Sequence, residues 1–525
     1  MARRRRRRLW LILVSILFLL GLQFLYAAWP GAWTFTVSPE TTYITGPLDK
    51  HGYVDYVTAL NERLSQGINP EENANVLLWQ ALGPRPEGGS GMAAEYWRWL
   101  GIEPPQEEEK NFVSWNSFAK ASPRLVEKIQ NDSDDDPIIS CRAKAWTPEE
   151  EPELAEYLKQ NEKPLALVIE ATLRPKYFNP LVPRRTEETP SSLLNSLVSN
   201  VQKCRELACA LTCRAMLRNG QGKTDEAWQD LVACHRLGRL VARGGTLIEL
   251  LVGLAIQQVA SDADIGYLCR TPMTSQQITE RWAELQGLSP MPLLVDKVNL
   301  GERYTALQFI LLMAEQGTEA LSWDKPQSKN PNRIHWFRRR VNGDSALRNI
   351  NLWYDRLVEI LTIEIRSTRT HELERFEHEV FLVRQRIGKT YLVAQYFLGP
   401  DERGEWIGNI IIGLLLPSID RMQGAVDRSQ QSLTNLHLAF ALAAYHADHG
   451  RYPDKLDDLA PKYPPSLPLD LFSEKPLIYR LEGAGYLLYS VGPNGKDDEG
   501  RGNDDTPKGD DLAIRMPPRK PQQAK

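Results

Sequence analysis

The stretch Tyr445-His-Ala-Asp-His-Gly-Arg-Tyr-Pro-Asp-Lys-Leu-Asp-Asp-Leu459 contains a change of backbone state. Its first residues continue an apolar pattern of helical period that runs from Ile419 to His449. Gly450 then supplies the residue type that closes a helix in the left-handed conformation, and Pro453 follows where a helix cannot continue. Upstream lies the apolar run Ile407-Gly-Asn-Ile-Ile-Ile-Gly-Leu-Leu-Leu-Pro-Ser418. Downstream, a proline-rich turn leads through Leu469-Asp470 to two expected short strands, 477–481 and 485–490, joined at Glu482-Gly-Ala-Gly485. Val491-Gly-Pro-Asn-Gly-Lys-Asp-Asp-Glu499 then opens an acidic, glycine-rich loop.

That order resembles the globular domain of type II secretion pseudopilins, the major pseudopilin in particular. Tyr445, Gly450, Tyr452, Pro453, Leu456, Leu459, Tyr479, Tyr486, Ser490, Gly492 and Gly495 stand where the pattern places them, over about 110 residues at the end of the chain. The resemblance implies a long helix, a small antiparallel sheet and a loop that holds calcium. The residues that would serve the ion are Ser490, Asn494, Asp497, Asp498, Asp504, Asp505, Asp510 and Asp511. Calcium takes six to eight hard oxygens, and crowded carboxylates repel one another without a cation. The same letters also suit a solvated acidic tail. Two departures from the family stand out. Its usual Asp-Gly is here Asn494-Gly495, and some 380 residues precede the pilin-like part where the family has a short leader and a Phe-Thr-Leu-x-Glu helix.

At the other end, Arg3 to Arg8 are six consecutive arginines followed by an uncharged apolar run over residues 9–28. As a helix that run spans roughly 30 Å, the thickness of a bilayer core, and arginines on one flank place that flank in the cytoplasm. The expectation is one transmembrane signal anchor with the bulk of the chain outside the cytoplasm, in the cell envelope of a bacterium.

The whole chain has 525 residues, 42% hydrophobic and 25% charged, with 63 basic against 67 acidic residues. That balance excludes wholesale disorder and gives no basic surplus with which to neutralise nucleic-acid phosphates. Six cysteines in this length do not form a disulfide scaffold, and Cys204, Cys209 and Cys213 read as small core residues of a helix. Residues 51–67, 70–83 and 91–100 read as short amphipathic helices, and 101–136 as an acidic linker. A helical hairpin is expected from Ser191 to Leu217 and from Asp225 to Ala242, turning at Asn219-Gly-Gln-Gly222. Gly244-Gly-Thr-Leu-Ile-Glu-Leu-Leu-Val252 imitates a prepilin cleavage segment but reads as a buried helix. Arg338-Arg-Arg340 reads as a solvated loop, and Tyr96-Trp97-Arg98-Trp99 as core.

Local catalytic motifs are missing. Gly222-Lys-Thr224 and Gly388-Lys-Thr390 lack the earlier glycine of a P-loop, and Ser117-Phe-Ala-Lys120 lacks the companion Lys-Thr-Gly of the acyl enzymes it imitates. His371 with His378 reads as an exposed helix face, and His446 with His449 as a helix C-terminus favoured by the dipole.

The expected fold class is mainly α with a C-terminal α+β module, one long helix plus a small antiparallel sheet, and one N-terminal transmembrane helix. The expected segments are a basic tail 1–8, the anchor 9–28, a helical region with acidic linker 29–136, a helical body 137–400, a pseudopilin-like domain 405–517 and a disordered tail 518–525. The expected function is a non-enzymatic membrane-anchored envelope protein that uses calcium and meets protein partners, with no nucleic acid and no identified small-molecule substrate. An extracytoplasmic hydrolase with its active site in the helical body is the alternative, and a perturbed carboxylate or histidine in a sizeable pocket between 137 and 400 would favour it.

Overall fold

The computed structural model describes residues 10, 12, 14–16, 18, 21, 31–86, 91–107, 111–122, 125–126, 136–183, 193, 196, 199–316, 340–396, 398–416, 419–463 and 466–518. The chain is mainly helical with small sheets. Among the described residues no helix is long and apolar enough to cross a membrane, which corrects the expectation of one transmembrane helix. A span needs about 20 consecutive apolar helical residues. The expected segment 9–28 lies mostly outside the described residues, and so do Arg3 to Arg8, Arg338 and Arg339.

The chain forms two compact units, each assembled from three stretches of sequence. The first takes residues 1–63, 181–196 and 295–420. In it, Trp33–Thr34 pairs in parallel with Val341–Asn342, and helix Gly343–Leu361 buries Ala346, Leu347, Ile350, Tyr354 and Leu357 at helical spacing. Arg303 is buried beside the rings of Tyr43 and Tyr354 and is paired with Asp355 at 2.7 Å.

The second unit takes residues 64–180, 197–294 and 421–525 and carries the candidate site. Its centre is three helices, α1 (Ser199–Gly220), α2 (Thr224–Ala242) and α3 (Leu247–Arg270). The first two realise the expected hairpin, with Gly222 in the left-handed region at φ 77°. Helix α3 starts on a reciprocal cap between Thr246 and Glu249, so the segment that imitates a cleavage site is a buried helix. At the crossing of α2 and α3 the backbones touch. A Cβ on Gly253 would stand 2.5 Å from the carbonyl oxygen of Gly238 and 2.7 Å from Cβ of Ala242.

Polar groups in this core are matched by partners rather than avoided. Asp230 receives Arg214 at 2.7 and 3.1 Å and Arg218 at 2.7 Å. His235 Nε2 lies 2.6 Å from Asp264, Gln257 Nε2 donates to His235 Nδ1 at 2.7 Å, and Arg239 donates to Gln257 Oε1 at 2.6 Å. Tyr96 accepts from Trp79 Nε1 and donates to Asn179, whose amide donates to Glu249. The Tyr96-Trp97 cluster is therefore core, packed edge-on against Trp79.

Helix α4 (Ile419–His449) closes at Gly450 with φ 70°. It does not stand apart from the helical core. Phe440 packs edge-on against Trp228 of α2, and His437 Nδ1 accepts from Trp282 Nε1 at 3.0 Å. Beyond it come β1 (Ile478–Glu482), β2 (Gly485–Ser490) and β3 (Leu512–Met516), an antiparallel sheet in the order β1-β2-β3. The third strand was not anticipated from the sequence, because about twenty loop residues separate it from β2. Strand β2 is buried along its whole length.

Replacing Gly253 by valine forces α2 and α3 apart against a main-chain carbonyl. It should cost about 3 kcal/mol in urea unfolding, the upper end for overpacking. An unchanged midpoint would show that the two helices do not pack through this contact.

Candidate functional site

The acidic loop between β2 and β3 is folded back on itself by positive-φ positions at Gly492, Gly495, Glu499 and Gly500. At Gly492 the conformation and the space both demand glycine, since a Cβ there would stand 2.1 Å from the carbonyl oxygen of Asp510. This folding brings three carboxylates together. Asp498, Asp510 and Asp511 each offer an oxygen, and the three lie within 4.8 Å of one another.

The loop's own amides hold these carboxylates in place. Asp511 Oδ2 accepts from the N–H of Gly500 at 2.7 Å and of Asp498 at 3.1 Å. Asp510 Oδ2 accepts from Asn494 N at 2.9 Å, and Asp498 Oδ2 accepts from Asn494 Nδ2 at 3.1 Å. Among the described residues, the second oxygens of Asp510 and Asp511 are buried and receive no hydrogen bond. Asp511 is only 4% exposed. Burial pushes its carboxyl up to about 6, helped by the charges of Asp498 and Asp497 and opposed by the two amide donors. Arg501 reaches within 3.8 Å of Asp498 Oδ1, too far for a hydrogen bond.

The remaining expected ligands are used otherwise. Ser490 turns away and donates to Asp470 at 2.6 Å. Asp497 accepts from Tyr489 OH at 2.9 Å and from Glu499 N at 2.8 Å. Asn494 holds the trio from outside, and Asp505 accepts from Gly502 N. Asp504 is exposed.

The sequence reading missed the residues that position this loop. Asp470 is buried and ties Ser473, Ser490 and the amides of Phe472 and Val491 to one carboxylate. From α4, Gln431 accepts from Leu471 N at 2.7 Å, and Asn435 donates to the carbonyl of Leu512 at 2.8 Å. Gln431 and Asn435 lie four apart, on one face of a helix; that spacing was the signal available.

A cleft of about 1060 Å³ adjoins the loop. Its walls are α3, through Leu251, Leu254, Gln258 and Asp262, and α4, through Ala425, Arg428 and Ser432, with β3, Asp504, Asp510 and Asp511 closing one end. Burial raises the carboxyl of Asp262, which accepts from Gln258 at 2.8 Å.

Other sequence candidates form no site. His371 and His378 are exposed on one helix with no third ligand among the described residues, and His449 Nδ1 donates to the carbonyl oxygen of Tyr445, whose ring it stacks against. Cys204 and Cys213 are buried and Cys209 is half-buried, and none of the six cysteines is in a disulfide. Ser117 and Lys120 are both exposed. The His235–Asp264 pair is wholly buried, closed to any substrate. Comparison of the chain with protein-family models, characterised proteins and solved structures finds no match.

The raised carboxyl of Asp511 has a definite sign. Between about pH 4 and 6 the folded state holds a proton that the unfolded state has released, so metal-free stability falls as pH rises through that window and the cost persists above it. Asp511→Asn should therefore raise the metal-free melting temperature at pH 7.5 by about 2 °C, roughly the effect of half to one kcal/mol. A lower melting temperature for this variant would mean that the carboxylate is stabilising as it stands.

Proposed function

We propose that the C-terminal part of the second unit is a calcium-binding module that serves protein contacts. The observation that carries this reading is the pair of buried oxygens on Asp510 and Asp511 that accept no hydrogen bond among the described residues, with the Asp498 carboxylate beside them. The donors are all hard oxygens, with no sulfur or imidazole among them, which suits calcium or magnesium and not a soft transition metal. Amide donors already fix one oxygen of each carboxylate; the other oxygens of Asp510 and Asp511 are left for a cation, and that of Asp498 has Arg501 at 3.8 Å. The pseudopilin resemblance supports the same chemistry from the order of the sequence. It also favours calcium over magnesium, since a loop built from backbone turns suits flexible coordination better than a strict octahedron.

Because α4 packs into the helical core, the whole chain is the proper sample. Extracellular calcium modules bind at about 10⁻⁴–10⁻³ M, which at 1 mM calcium stabilises by about 0.4–1.4 kcal/mol. Differential scanning fluorimetry of the full chain at pH 7.5 should show a rise of about 1–4 °C with 1 mM calcium and less with 1 mM magnesium. Asp498→Ala and Asp511→Asn should each abolish the response. No shift at 10 mM calcium, or an equal shift in the two variants, would reduce the loop to a solvated acidic segment. Protons compete for the same oxygens, so the calcium response should shrink at pH 5, below the carboxyl's titration near 6. A response that grew at pH 5 would place the ion elsewhere.

The hydrolase reading has one observation in its favour, the raised carboxyl of Asp262 in the cleft. Among the described residues its hydrogen-bond partner is an amide, Gln258, and not a second acid, base or nucleophile.

A further inference from the structure

Helix α3 presents one face to the cleft: Leu251, Ala255, Gln258, Asp262 and Ile265 follow one another at intervals of three or four residues. Leu251, Ala255 and Ile265 are half-buried there, so the carboxylate of Asp262 stands within an apolar strip. Among the described residues that carboxylate has one hydrogen bond, from Gln258, and no ion pair. Burial raises it, with the charge of Arg142 opposing.

The cleft carries an excess of acid. Asp504 lines it, is exposed and has no partner among the described residues. Asp510 and Asp511 add their charge, although their unpartnered oxygens are buried. Of the two arginines on the lining, Arg515 is paired with Glu482, whereas Arg428 is exposed and in no ion pair among the described residues. A calcium ion on the trio would cancel part of this excess and leave Asp262 and Asp504 as they are. On the α4 wall, Ser429 and Ser432 line the cleft with hydroxyls that make no hydrogen bond among the described residues.

An apolar strip with a carboxylate set in it matches lysine or arginine, which lay a methylene stem on apolar surface and carry their charge to an acid. The volume of about 1060 Å³ has room for such a side chain and the peptide groups beside it. We infer that the cleft seats a basic segment of a partner protein: a lysine or arginine lies along Leu251 and Ala255 with its cationic head on Asp262, Asp504 draws a neighbouring cation, and Ser429 and Ser432 bond the segment's main chain. Complementary charge supplies selection and encounter, and the strip supplies contact. This inference rests on the protein-contact part of the reading above and not on its calcium part.

The test measures fluorescence polarisation of labelled nonapeptides of Ala, Leu and Ser carrying two lysines, two glutamines or two glutamates, with the full chain in EDTA at about 150 mM salt, where distant surface charges are screened. The lysine peptide should bind at least fivefold more tightly than the glutamine peptide, and the glutamate peptide should not bind. Asp262→Asn and Asp504→Asn should each weaken the lysine peptide about threefold, while Glu170→Gln, at an exposed position outside the cleft, should leave it unchanged. Arg428→Ala should strengthen it at least twofold, a gain that misfolding does not produce. Equal binding of the three peptides, an equal loss in Glu170→Gln, or no gain in Arg428→Ala would overturn the assignment. Displacement by spermine at the peptide's own concentration would overturn the peptide in favour of a small polyamine. Loss of the lysine preference with a persisting calcium shift would remove this inference alone, and an intact preference without a calcium shift would remove the metal reading alone.

Discussion

A carboxylate taken out of water must be met by donors or a cation, or surrender its charge. The second unit is organised by that requirement. Asp230 is met by two arginines, Asp264 by a histidine oriented by Gln257, and Glu249 by Asn179 and the start of its own helix. Asp470 collects two hydroxyls and two backbone amides. Asp511 is buried as well; like Asp264 it accepts on one oxygen only, but among the described residues no basic side chain pairs with it. Its neighbours at Asp498 and Asp510 add charge of the same sign. The proposed cation is the answer to that imbalance.

The helical core gives the imbalance a fixed place. Helices α2 and α3 meet backbone to backbone at Gly238 and Gly253. Helix α4 packs onto α2 through Phe440 and Trp228, bonds Trp282 of the helix Ser275–Gln286 through His437, and then passes its order to the sheet through Gln431 and Asn435. Burial and the charge of the neighbouring His235 and Arg239 hold His437 down to about 4, so it stays neutral and accepts the tryptophan hydrogen bond at ordinary pH. Three hydrogen-bonding layers, from helix to turn to strand, therefore stand between the core and the acidic loop. The loop is positioned by rigid elements while its own backbone is free to adopt four left-handed residues.

Local signals were sufficient for the parts whose determinants are adjacent in the chain. Gly450 ends α4 because the residue after a helix takes a left-handed conformation that glycine adopts without strain, and the strands around Gly483 follow from alternation about a turn. The eight candidate ligands were harder to sort, because a loop's letters do not say which side chains converge. Ser490 is drawn off by Asp470, twenty residues earlier, and Asp497 by the hydroxyl of Tyr489. The third strand was hidden by its distance from its partner. The expected transmembrane helix fell to the absence of any sufficiently long and apolar helix among the described residues.

Local conformation follows from the residues alone: the helix breaks at glycine and proline, the caps, the turn residues and the acidic character of the loop. Each rests on φ/ψ preferences or on charge that a residue carries wherever it is placed. Which distant groups meet is set by packing. The two units each gather three separated stretches, and the carboxylate trio joins Asp498 to Asp510 and Asp511 across a loop. That meeting depends on burial, and burial belongs to the packed chain as a whole: Asp511 is one acidic letter among seven until packing removes water from one of its oxygens.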